Sequence, residues 1–483
     1  MIIAGQPPRQ HRRFLLLLFV LTIPLLNPWV RGDGVGYYAY ARAPLVQHNL
    51  DFTQDYLHAN DSFRADRLDS DGNVKPQFLT STRHLENHFT VGPALLWSPF
   101  LLVVHCGVLL VRASGASVAA DGFSAPYRYA MALGTGLYGF LALLLSYELA
   151  RKYVTPAWAF LATLAIWWGS SLPVYMYFNP SWSHAHSAFA AALFVWYWDA
   201  TREHRTALQW MVLGAICGLM LDVYYANLMI VSILAVEAFT QYRDAFRKNM
   251  VDVPRFTMLL TRHLLFGCTV IAMMLPTFLS RWVVYGGPLK TGYLSIRDFL
   301  WGSPALVEVL FSSDHGLLAW TPILLLSWVG LIWFALLRRQ PGMDFLIAAL
   351  AYYVFFALYP DWDGISSYGN RFFVSLTPLF VVGLAVTLER TANYFRQPRV
   401  AQAVASVVLC LFVVWNLGLI YQWGTHLVPA RGPISFRRAA YNQVAVVPRQ
   451  LFSHLRTYFL RRGDLMRQIE RRDQEQMNES AKP

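Results

Sequence analysis

The chain alternates between long apolar segments and short polar ones along its 483 residues. An α-helix needs about 20 consecutive apolar residues to cross the hydrocarbon core of a bilayer. The pattern therefore predicts an all-α polytopic membrane protein with about 11–12 transmembrane helices. The apolar segments lie at residues 14–30, 93–111, 127–149, 157–177, 184–200, 207–223, 225–240, 264–284, 316–337, 343–359, 371–388 and 399–421.

The first apolar segment predicts a retained signal anchor. Basic residues at 9–13 precede an apolar stretch at 14–26, which is the order found in a secretory signal peptide. No cleavage site of the small-x-small type follows Asn27-Pro28-Trp29. We therefore expect the segment to remain attached, with the N-terminus on the cytoplasmic side of the membrane.

Composition agrees with a membrane protein and narrows its possible partners. Charged residues make up 14% of the chain and hydrophobic residues 56%, with a mean hydropathy of +0.36, whereas a soluble domain carries about 25% charged residues. The net charge of +12 comes from short basic clusters between apolar segments, so no nucleic acid partner is expected. The four cysteines lie within apolar segments, which favours neither a disulfide framework nor a metal cluster.

Five basic clusters indicate how many segments cross the membrane. They lie at residues 151–152, 202–205, 243–248, 338–339 and 390–399. If all twelve segments crossed the membrane, every basic cluster would lie outside, against the positive-inside rule. If one early segment does not cross, all five clusters lie inside, as that rule requires. The segment at 93–111 is the candidate, because Pro99 removes a helical hydrogen bond within it. We expect a re-entrant or juxtamembrane segment with irregular backbone here, eleven full crossings, and a C-terminus on the outer side.

This topology predicts two regions of the chain. Residues 1–425 would form a transmembrane domain with a long first outer loop at 31–92. Residues 426–483 would form a basic tail that is amphipathic and partly disordered. Nearly every unusual polar residue falls in an outer loop, so a functional site is expected to open outward.

The first outer loop opens with Asp33, which is the candidate general base. An aspartate just beyond a membrane span lies at the membrane surface, where a reduced dielectric strengthens its hydrogen bonds. Tyr37, Tyr40, Val46 and Leu50 recur at helical spacing, which predicts an interfacial helix with one apolar face. Asp33 would then also suit the N-cap of that helix, and the sequence leaves open whether capping is its only role.

The same loop closes with Asn87 and His88, which lie where the chain returns to the membrane and are candidates for the floor of a pocket. In its middle, Asp69 and Asp71 form an Asp-x-Asp pair, which can hold a divalent cation against a phosphate. In a stretch punctuated by glycine and asparagine, such a pair is more often a solvated turn. No cofactor is expected, and a divalent cation remains an open alternative.

The middle of the chain contains two histidines and an aspartate at the borders of apolar segments. His184 and His186 are two residues apart, so on a helix they point about 200° apart and cannot chelate zinc from one face. His184 is a candidate donor to a phosphate or sugar hydroxyl, with a structural histidine as the alternative. Asp222 lies between two apolar segments, where an acid is costly and marks function unless the turn reaches the surface.

The later outer loops add cations and an acid–imidazole pair. Lys290 offers a point charge for a phosphate. Asp314 and His315 are adjacent and resemble an acid–imidazole pair, without a visible nucleophile partner. Arg371 begins a segment that runs from outside to inside, and its guanidinium suits bidentate phosphate recognition. The alternative for Arg371 is snorkelling to lipid headgroups.

The order of these features resembles the membrane-embedded glycosyltransferases of the GT-C superfamily, in the branch of protein O-mannosyltransferases and lipid A aminoarabinose transferases. Strings similar to those of uncharacterised bacterial members are Gly32-Asp33 followed by tyrosines, residues 91–100, Ser183-His184-Ala185, residues 314–317 and Gly369-Asn370-Arg371-Phe372. The resemblance covers residues 10–425.

The resemblance implies transfer of a sugar from a polyprenyl-phosphate donor to a lipid, glycan or protein acceptor, at the outer face of a bacterial inner membrane. Asp33 would be the acid that deprotonates the acceptor. Arg371 and Lys290 would bind the departing phosphate. The remaining substrate-binding candidates are Tyr37, Tyr38, Asn87, His88, His184, Asp222, Asp314 and His315.

Two departures and two alternatives accompany this expectation. The family often has paired acids after the first span, whereas Asp33 stands alone, and the large soluble C-terminal domain of some members is absent from this sequence. A transporter or flippase of lipid-linked sugars would need ionisable residues at mid-membrane and two related halves. No matching halves are visible, although Glu148 and Glu237 lie near inner ends. A non-catalytic assembly factor also stays open.

Overall fold

Helices dominate the computed structural model, which describes residues 7–246 and 253–480. No β-strand forms within these residues, so the prediction of an all-α fold is confirmed. The helices in chain order are α1 (Pro8–Thr22), α2 (Asp33–Arg42), α3 (Thr53–Leu57), α4 (Asp61–Arg67), α5 (Gly92–Ala113), α6 (Ala125–Ala150), α7 (Pro156–Gly169), α8 (His184–Thr201), α9 (Ala207–Val223), α10 (Ser232–Phe246), α11 (Val253–Tyr285), α12 (Leu306–Phe311), α13 (Leu317–Trp320), α14 (Ile323–Leu337), α15 (Arg339–Leu358), α16 (Thr377–Ala392), α17 (Pro398–Gly424), α18 (Phe436–Ala445), α19 (Val447–Leu460) and α20 (Arg462–Ser480).

Each predicted apolar segment contains a helix, and several have the length and composition needed to cross a membrane. Six stretches in the described part of the chain qualify: Gly92–Ala113, Ala125–Ala150, Val253–Tyr285, Gln340–Leu358, Arg371–Ala392 and Pro398–Gly424. Two shorter apolar helices are Ala207–Val223 and Ile323–Leu337. The protein is therefore a polytopic membrane protein, with α16 at its centre and α11 at its lipid-exposed edge.

The basic clusters gather at one end of the bundle, which we call the basic end. Several basic side chains there form ion pairs that join neighbouring helices. They include Lys152–Asp199 at 2.9 Å, Arg205–Glu237 at 3.0 Å and Arg12–Glu148 at 2.5 Å. Glu148 and Glu237 thus belong to these pairs. The cluster at 243–248 is described only up to 246.

The opposite end, which we call the loop end, holds the first outer loop. The predicted interfacial helix is present as α2, followed by the short helices α3 and α4. Tyr38, Phe52 and Tyr56 of this loop form a second apolar core together with Val108 of α5. This second core is separate from the main core of the bundle.

The C-terminal half of helix α5 lies at the loop end, where Val108 packs in the second core. It runs antiparallel to the first half of α6, since Trp97 Nε1 donates to Thr135 at 2.8 Å and His105 bonds Tyr127 at 2.6 Å. The connection that follows returns to α2, where Tyr38 donates to the Gly122 carbonyl oxygen at 2.7 Å. The prediction of an irregular backbone in this segment is wrong, because α5 continues unbroken through Pro99.

The C-terminal tail is ordered where it is described, so the expectation of partial disorder is wrong up to residue 480. Helices α18 to α20 fold back on the loop end. Tyr458 donates to the Leu25 carbonyl oxygen at 2.7 Å, and Arg31 pairs with Asp473 at 2.6 Å. The tail therefore lies on the same side of the bundle as the first outer loop. Residues 481–483 lie outside the described part of the chain.

Candidate active site

Asp33 is the first residue of α2, and the backbone before it is tightly fixed. Gly32 has φ 56°, a left-handed conformation that favours glycine. Its N–H donates to Asn60 Oδ1 at 3.0 Å, and the Arg31 carbonyl oxygen accepts from Trp182 Nε1 at 3.0 Å. Gly32 occupies the N-cap position and Asp33 forms no side-chain cap bond. The N-cap alternative for Asp33 is therefore wrong.

Two further glycines let α2 approach its neighbours closely. A Cβ at Gly34 would lie 2.0 Å from Ser181 Oγ, and a Cβ at Gly36 would lie 2.0 Å from the Phe89 ring. Such distances are far shorter than a van der Waals contact, so only glycine fits at either position. The glycine spacing after Asp33 thus docks α2 between the turn before α8 and the end of the first outer loop.

Arg371 is the ionic partner of Asp33. Its Nη1 lies 2.8 Å from Asp33 Oδ2, and its guanidinium carbon lies 4.6 Å from the Trp182 ring centroid. The Arg371 Nε is buried and has no hydrogen-bond partner. Arg371 begins a short 3₁₀ turn, Arg371–Leu376, that leads into α16. One edge of the guanidinium is therefore held by Asp33, while another nitrogen remains able to donate.

The Asp33–Arg371 pair lies in a pocket of about 500 Å³ at the loop end, which we call the loop-end pocket. Pockets of this size suit a small-molecule ligand. Nearly half of its lining residues are aromatic. The lining comes from the first outer loop, the start of α8, the segment after α9, the loop at 286–305, the end of α15 and the segment that leads into α16. The aromatic lining residues are Tyr37, Phe63, Phe89, Tyr224, Tyr225, Tyr293, Phe299, Phe355, Phe356, Tyr359 and Phe372.

The ionisable groups of the loop-end pocket are of both signs. Arg67 and Asp66 line it together with Asp33, Arg371 and Asp361. Burial raises the pKa of the Asp361 carboxyl group, and the nearby Asp363 raises it further. Two cations within an apolar wall are suited to holding an anionic group of a ligand.

Both predicted histidines of the loop-end pocket sit against aromatic rings. The His88 ring lies 4.2 Å from Phe89 and 5.0 Å from Tyr293, measured between centroids. Burial lowers the pKa of His88 to about 4, so its imidazole is neutral at pH 7. His184 is buried, and its Nδ1 has no hydrogen-bond partner. Each ring can therefore exchange a neutral hydrogen bond with a hydroxyl or phosphate oxygen.

The structure thus brings five of the eleven predicted site residues into one pocket, namely Asp33, Tyr37, His88, His184 and Arg371. His186 points elsewhere, as its spacing from His184 predicted. Its ring packs on Trp97 at 4.9 Å.

Tyr38 and Asn87 do not line the loop-end pocket. The Tyr38 hydroxyl donates its hydrogen bond to the Gly122 carbonyl oxygen. Asn87 donates to the Gly36 carbonyl oxygen at 2.9 Å, and its own carbonyl oxygen accepts from Tyr40 at 2.8 Å. Both side chains instead connect segments of the loop end. Their role is to position α2.

Asp222 and Lys290 also lie outside the loop-end pocket. Asp222 is fully buried near the end of α9, beside the Thr277 hydroxyl, without a hydrogen bond of good geometry. Its neighbours Tyr224 and Tyr225 do reach the pocket. The Lys290 side chain is exposed, while its carbonyl oxygen accepts from Arg281 at 3.1 Å and its N–H donates to the Gly287 carbonyl oxygen at 3.2 Å. Arg67 is a cation that does line the pocket.

Asp314 and His315 are adjacent in space, although they are not a catalytic pair. His315 Nε2 lies 3.6 Å from Asp314 Oδ1, too far for a hydrogen bond. His315 is completely buried, with its ring stacked on Trp320 at 4.7 Å. Burial lowers the pKa of His315 to about 4. Neither residue lines the loop-end pocket, so the structure does not bring them together with Asp33 and Arg371.

The Asp-x-Asp motif forms a turn. Asp69 Oδ1 accepts from the backbone N–H groups of Asp71 at 3.0 Å and Asn73 at 2.8 Å. These bonds lower the pKa of the exposed Asp69 carboxyl group. The turn interpretation is confirmed. Within residues 7–246 and 253–480, no group of three or more His, Cys, Asp or Glu side chains could hold a metal ion.

Sequence reasoning missed Arg67 and most of the aromatic wall. Arg67 follows Asp66 in a charged stretch that looks like solvated surface. Phe299, Phe355 and Tyr359 come from two segments about sixty residues apart. Only the fold brings these segments together around one pocket, and no spacing along the chain predicts it.

Few known proteins resemble this chain. No family model and no curated protein matches it. Among solved structures it is similar to ArnT from Cupriavidus metallidurans in the apo state, with 14% identity and a TM-score of 0.47 over 89% of this chain and 74% of that one. It is also similar to the archaeal oligosaccharyltransferase AglB from Archaeoglobus fulgidus in complex with an inhibitory peptide and a dolichol-phosphate, with 15% identity and a TM-score of 0.41 over 90% of this chain. The chain spans 54% of AglB. At such low scores neither similarity supports an activity.

Proposed function

We propose that the chain is a membrane glycosyltransferase that moves a sugar from a polyprenyl-phosphate donor to an acceptor hydroxyl in the loop-end pocket. The observation that carries the proposal is the Asp33–Arg371 pair, a carboxylate and a guanidinium 2.8 Å apart within an aromatic pocket at one end of a membrane bundle. Such a pocket combines a base, a phosphate-binding cation and an apolar wall for the lipid chain.

In the proposed reaction, Arg371 keeps Nη1 on Asp33 and uses its Nε and remaining donors to bind the donor phosphate. A guanidinium can bridge two anions in this way because its donors form a planar fork. The acceptor oxygen attacks the anomeric carbon and forms a new C–O bond. The bond from that carbon to the phosphate oxygen breaks, and polyprenyl phosphate leaves with the electron pair. Asp33 accepts the acceptor proton.

The location of the pocket supports an outward-facing site. The basic clusters at 151–152 and 202–205 lie at the basic end, and the loop-end pocket lies at the opposite end. The positive-inside rule then places the basic end in the cytoplasm. We propose that the pocket faces outward from the plasma membrane of a bacterium, where a lipid, glycan or protein acceptor is reached.

A transfer assay with Asp33→Asn tests the proposal. The purified protein is reconstituted in nanodiscs and offered a panel of labelled polyprenyl-phosphate sugars together with membrane lipid extract. We expect the variant to lose transfer by about a hundredfold or more while it keeps its Tm. Asp69→Asn, an exposed acid in the same loop, is the matched control. Full transfer by Asp33→Asn would refute the mechanism.

A further inference from the structure

Helices α18 and α19 carry large apolar side chains that nothing in the described part of the chain covers. Phe452 of α19 is 81% exposed and Val444 of α18 is 80% exposed. Tyr441, Leu455 and Phe459 are exposed beside them. In water, a contiguous patch of this kind is unfavourable and marks a surface that binds something apolar.

The side chains of α19 differ in burial and polarity from one face of the helix to the next. Successive residues rotate by about 100° around a helix, so each face can be read from the sequence. One face is buried against the protein, the next is apolar and exposed, and the one after it is basic. In that order the faces hold Val447 and Tyr458, then Leu455, Phe459 and Phe452, then Arg456 and Arg449.

The two helices are fixed beside the last turns of the membrane helix α17. Gln443 of α18 donates to the Val414 carbonyl oxygen at 2.9 Å, and His454 of α19 bonds Tyr421. The outward face of α17 is itself apolar and exposed at Leu411 and Val414. The apolar face of the tail therefore continues the lipid-facing surface of the bundle.

We propose that α18 and α19 form an interfacial anchor in the membrane leaflet at the loop end, and that the anchor prefers anionic phospholipids. Phe452, Leu455 and Phe459 enter the boundary between headgroups and acyl chains, as in other amphipathic interfacial helices. Arg449 and Arg456 lie at headgroup level, where arginine attracts anionic headgroups.

The anchor is connected to the start of the first outer loop. Helix α20 follows α19 directly, and Asp473 of α20 pairs with Arg31 at 2.6 Å, two residues before Asp33. Arg462 donates to the Leu26 carbonyl oxygen at 2.5 Å. Lipid contact by α19 thus steadies the segment that leads into α2, whatever reaction the pocket carries out.

Spin labels on the full-length protein test the anchor. In a background without the four native cysteines, Phe452→Cys and its neighbour Ser453→Cys are labelled separately and reconstituted in phosphatidylcholine with or without phosphatidylglycerol. We expect the label at 452 to be more accessible to oxygen than to a water-soluble nickel chelate, and the label at 453 to show the reverse. Equal nickel accessibility at both positions would overturn the proposal, as would a label at 452 immobilised by a second protein copy.

The lipid preference has its own measurement. Phosphatidylglycerol should raise the oxygen-to-nickel ratio at 452, and the Arg449→Ala/Arg456→Ala variant should lose that response. An equal response in both proteins would refute the role of the arginines. Hydrogen exchange of the unlabelled wild-type chain provides a check that needs no substitution: amides of 447–460 should exchange more slowly with phosphatidylglycerol present, and unchanged rates would contradict the preference.

Discussion

Arg371 shows at the scale of a single residue why the kind of cation matters. Its guanidinium contacts the Asp33 carboxylate and the Trp182 ring at once, and its Nε is free. A lysine is a point charge that cannot hold one anion at each edge or stack flat on an indole. The Asp33 contact also argues against the snorkelling alternative, because the side chain is directed into the protein.

We therefore expect Arg371→Lys to weaken binding of polyprenyl phosphate by about tenfold, equivalent to about 1.4 kcal/mol. Binding of tritiated polyprenyl phosphate to the protein in nanodiscs measures the loss, and polyprenol, which lacks the phosphate, should bind both proteins equally. Arg297→Lys, an exposed arginine outside the pocket, is the matched control. An unchanged affinity for polyprenyl phosphate would contradict the role of Arg371.

His88 and His315 make stability depend on pH. Burial lowers the pKa of each to about 4, whereas an unperturbed histidine titrates near pH 6.5, about the value in an unfolded chain. Between these values the unfolded chain binds protons that the folded protein does not, so the free energy of unfolding falls as pH falls through the window. We expect Tm in detergent to drop from about pH 6.5 to about pH 4.

The variant His88→Gln should reduce that drop, because it removes one of the histidines whose pKa burial lowers. The exposed His204→Gln at the basic end is the control and should leave the drop unchanged. A Tm that rises on acidification, or an equal drop in all three proteins, would contradict this assignment.

At the scale of residues, the sequence predicted part of the pocket lining. Asp33, Tyr37, His88, His184 and Arg371 stand out because each polar group borders an apolar segment or an outer turn. Asn87, Asp222 and His315 stand out for the same reason, yet their side chains serve packing or positioning. Polarity at a membrane border does not distinguish a ligand contact from an internal one, because both need hydrogen-bonding groups.

At the scale of elements, the position of Asp33 depends on the packing of α2. A Cβ at Gly34 would clash with Ser181 Oγ at 2.0 Å, whereas a Cβ at Gly107 in α5 would meet nothing within 4 Å. We expect Gly34→Ala to destabilise the protein by about 1–3 kcal/mol and to reduce transfer, since overpacking shifts the backbone. Tm and transfer rate measure both effects.

Gly107→Ala is the matched control for this substitution. Alanine favours a helix over glycine by about 1 kcal/mol, so Tm should stay the same or rise slightly. If Gly34→Ala behaved like Gly107→Ala, α2 would not be held in the way that the structure shows.

The sequence predicted α2 correctly, and its prediction for the tail was wrong. Helical spacing of tyrosines indicated α2, and the positions of the basic clusters predict that α5 does not cross the membrane. The tail was expected to be amphipathic and partly disordered. The tail is ordered because its side chains donate hydrogen bonds to carbonyl oxygens at the end of the first apolar segment, such as those of Leu25 and Leu26. The sequence does not show that these groups are its partners.

At the scale of the whole molecule, the path of α5 determines on which side of the membrane each later loop lies. If α5 remains at the loop end, residue 114 lies on the same side as residue 71, and residue 204 lies on the opposite side. In a background without native cysteines, Ser114→Cys and Asp71→Cys should react with a membrane-impermeant maleimide under the same conditions. His204→Cys should behave oppositely in sealed membranes.

All three positions are exposed, so lack of access within the protein does not limit the reaction. Reaction of Ser114→Cys together with His204→Cys would mean that α5 crosses the membrane. The basic clusters would then lie on the same side as the first outer loop, and the proposed outward orientation would fail.

The most direct test of the central claim is release of polyprenyl phosphate in proteoliposomes that contain a labelled polyprenyl-phosphate sugar and an acceptor extract. A glycosyltransferase must release one polyprenyl phosphate for each sugar that leaves the donor, and we expect this from the wild type. The Asp33→Asn variant should release almost none. Movement of intact labelled donor across the bilayer without release, equally in both proteins, would contradict the account and indicate a flippase.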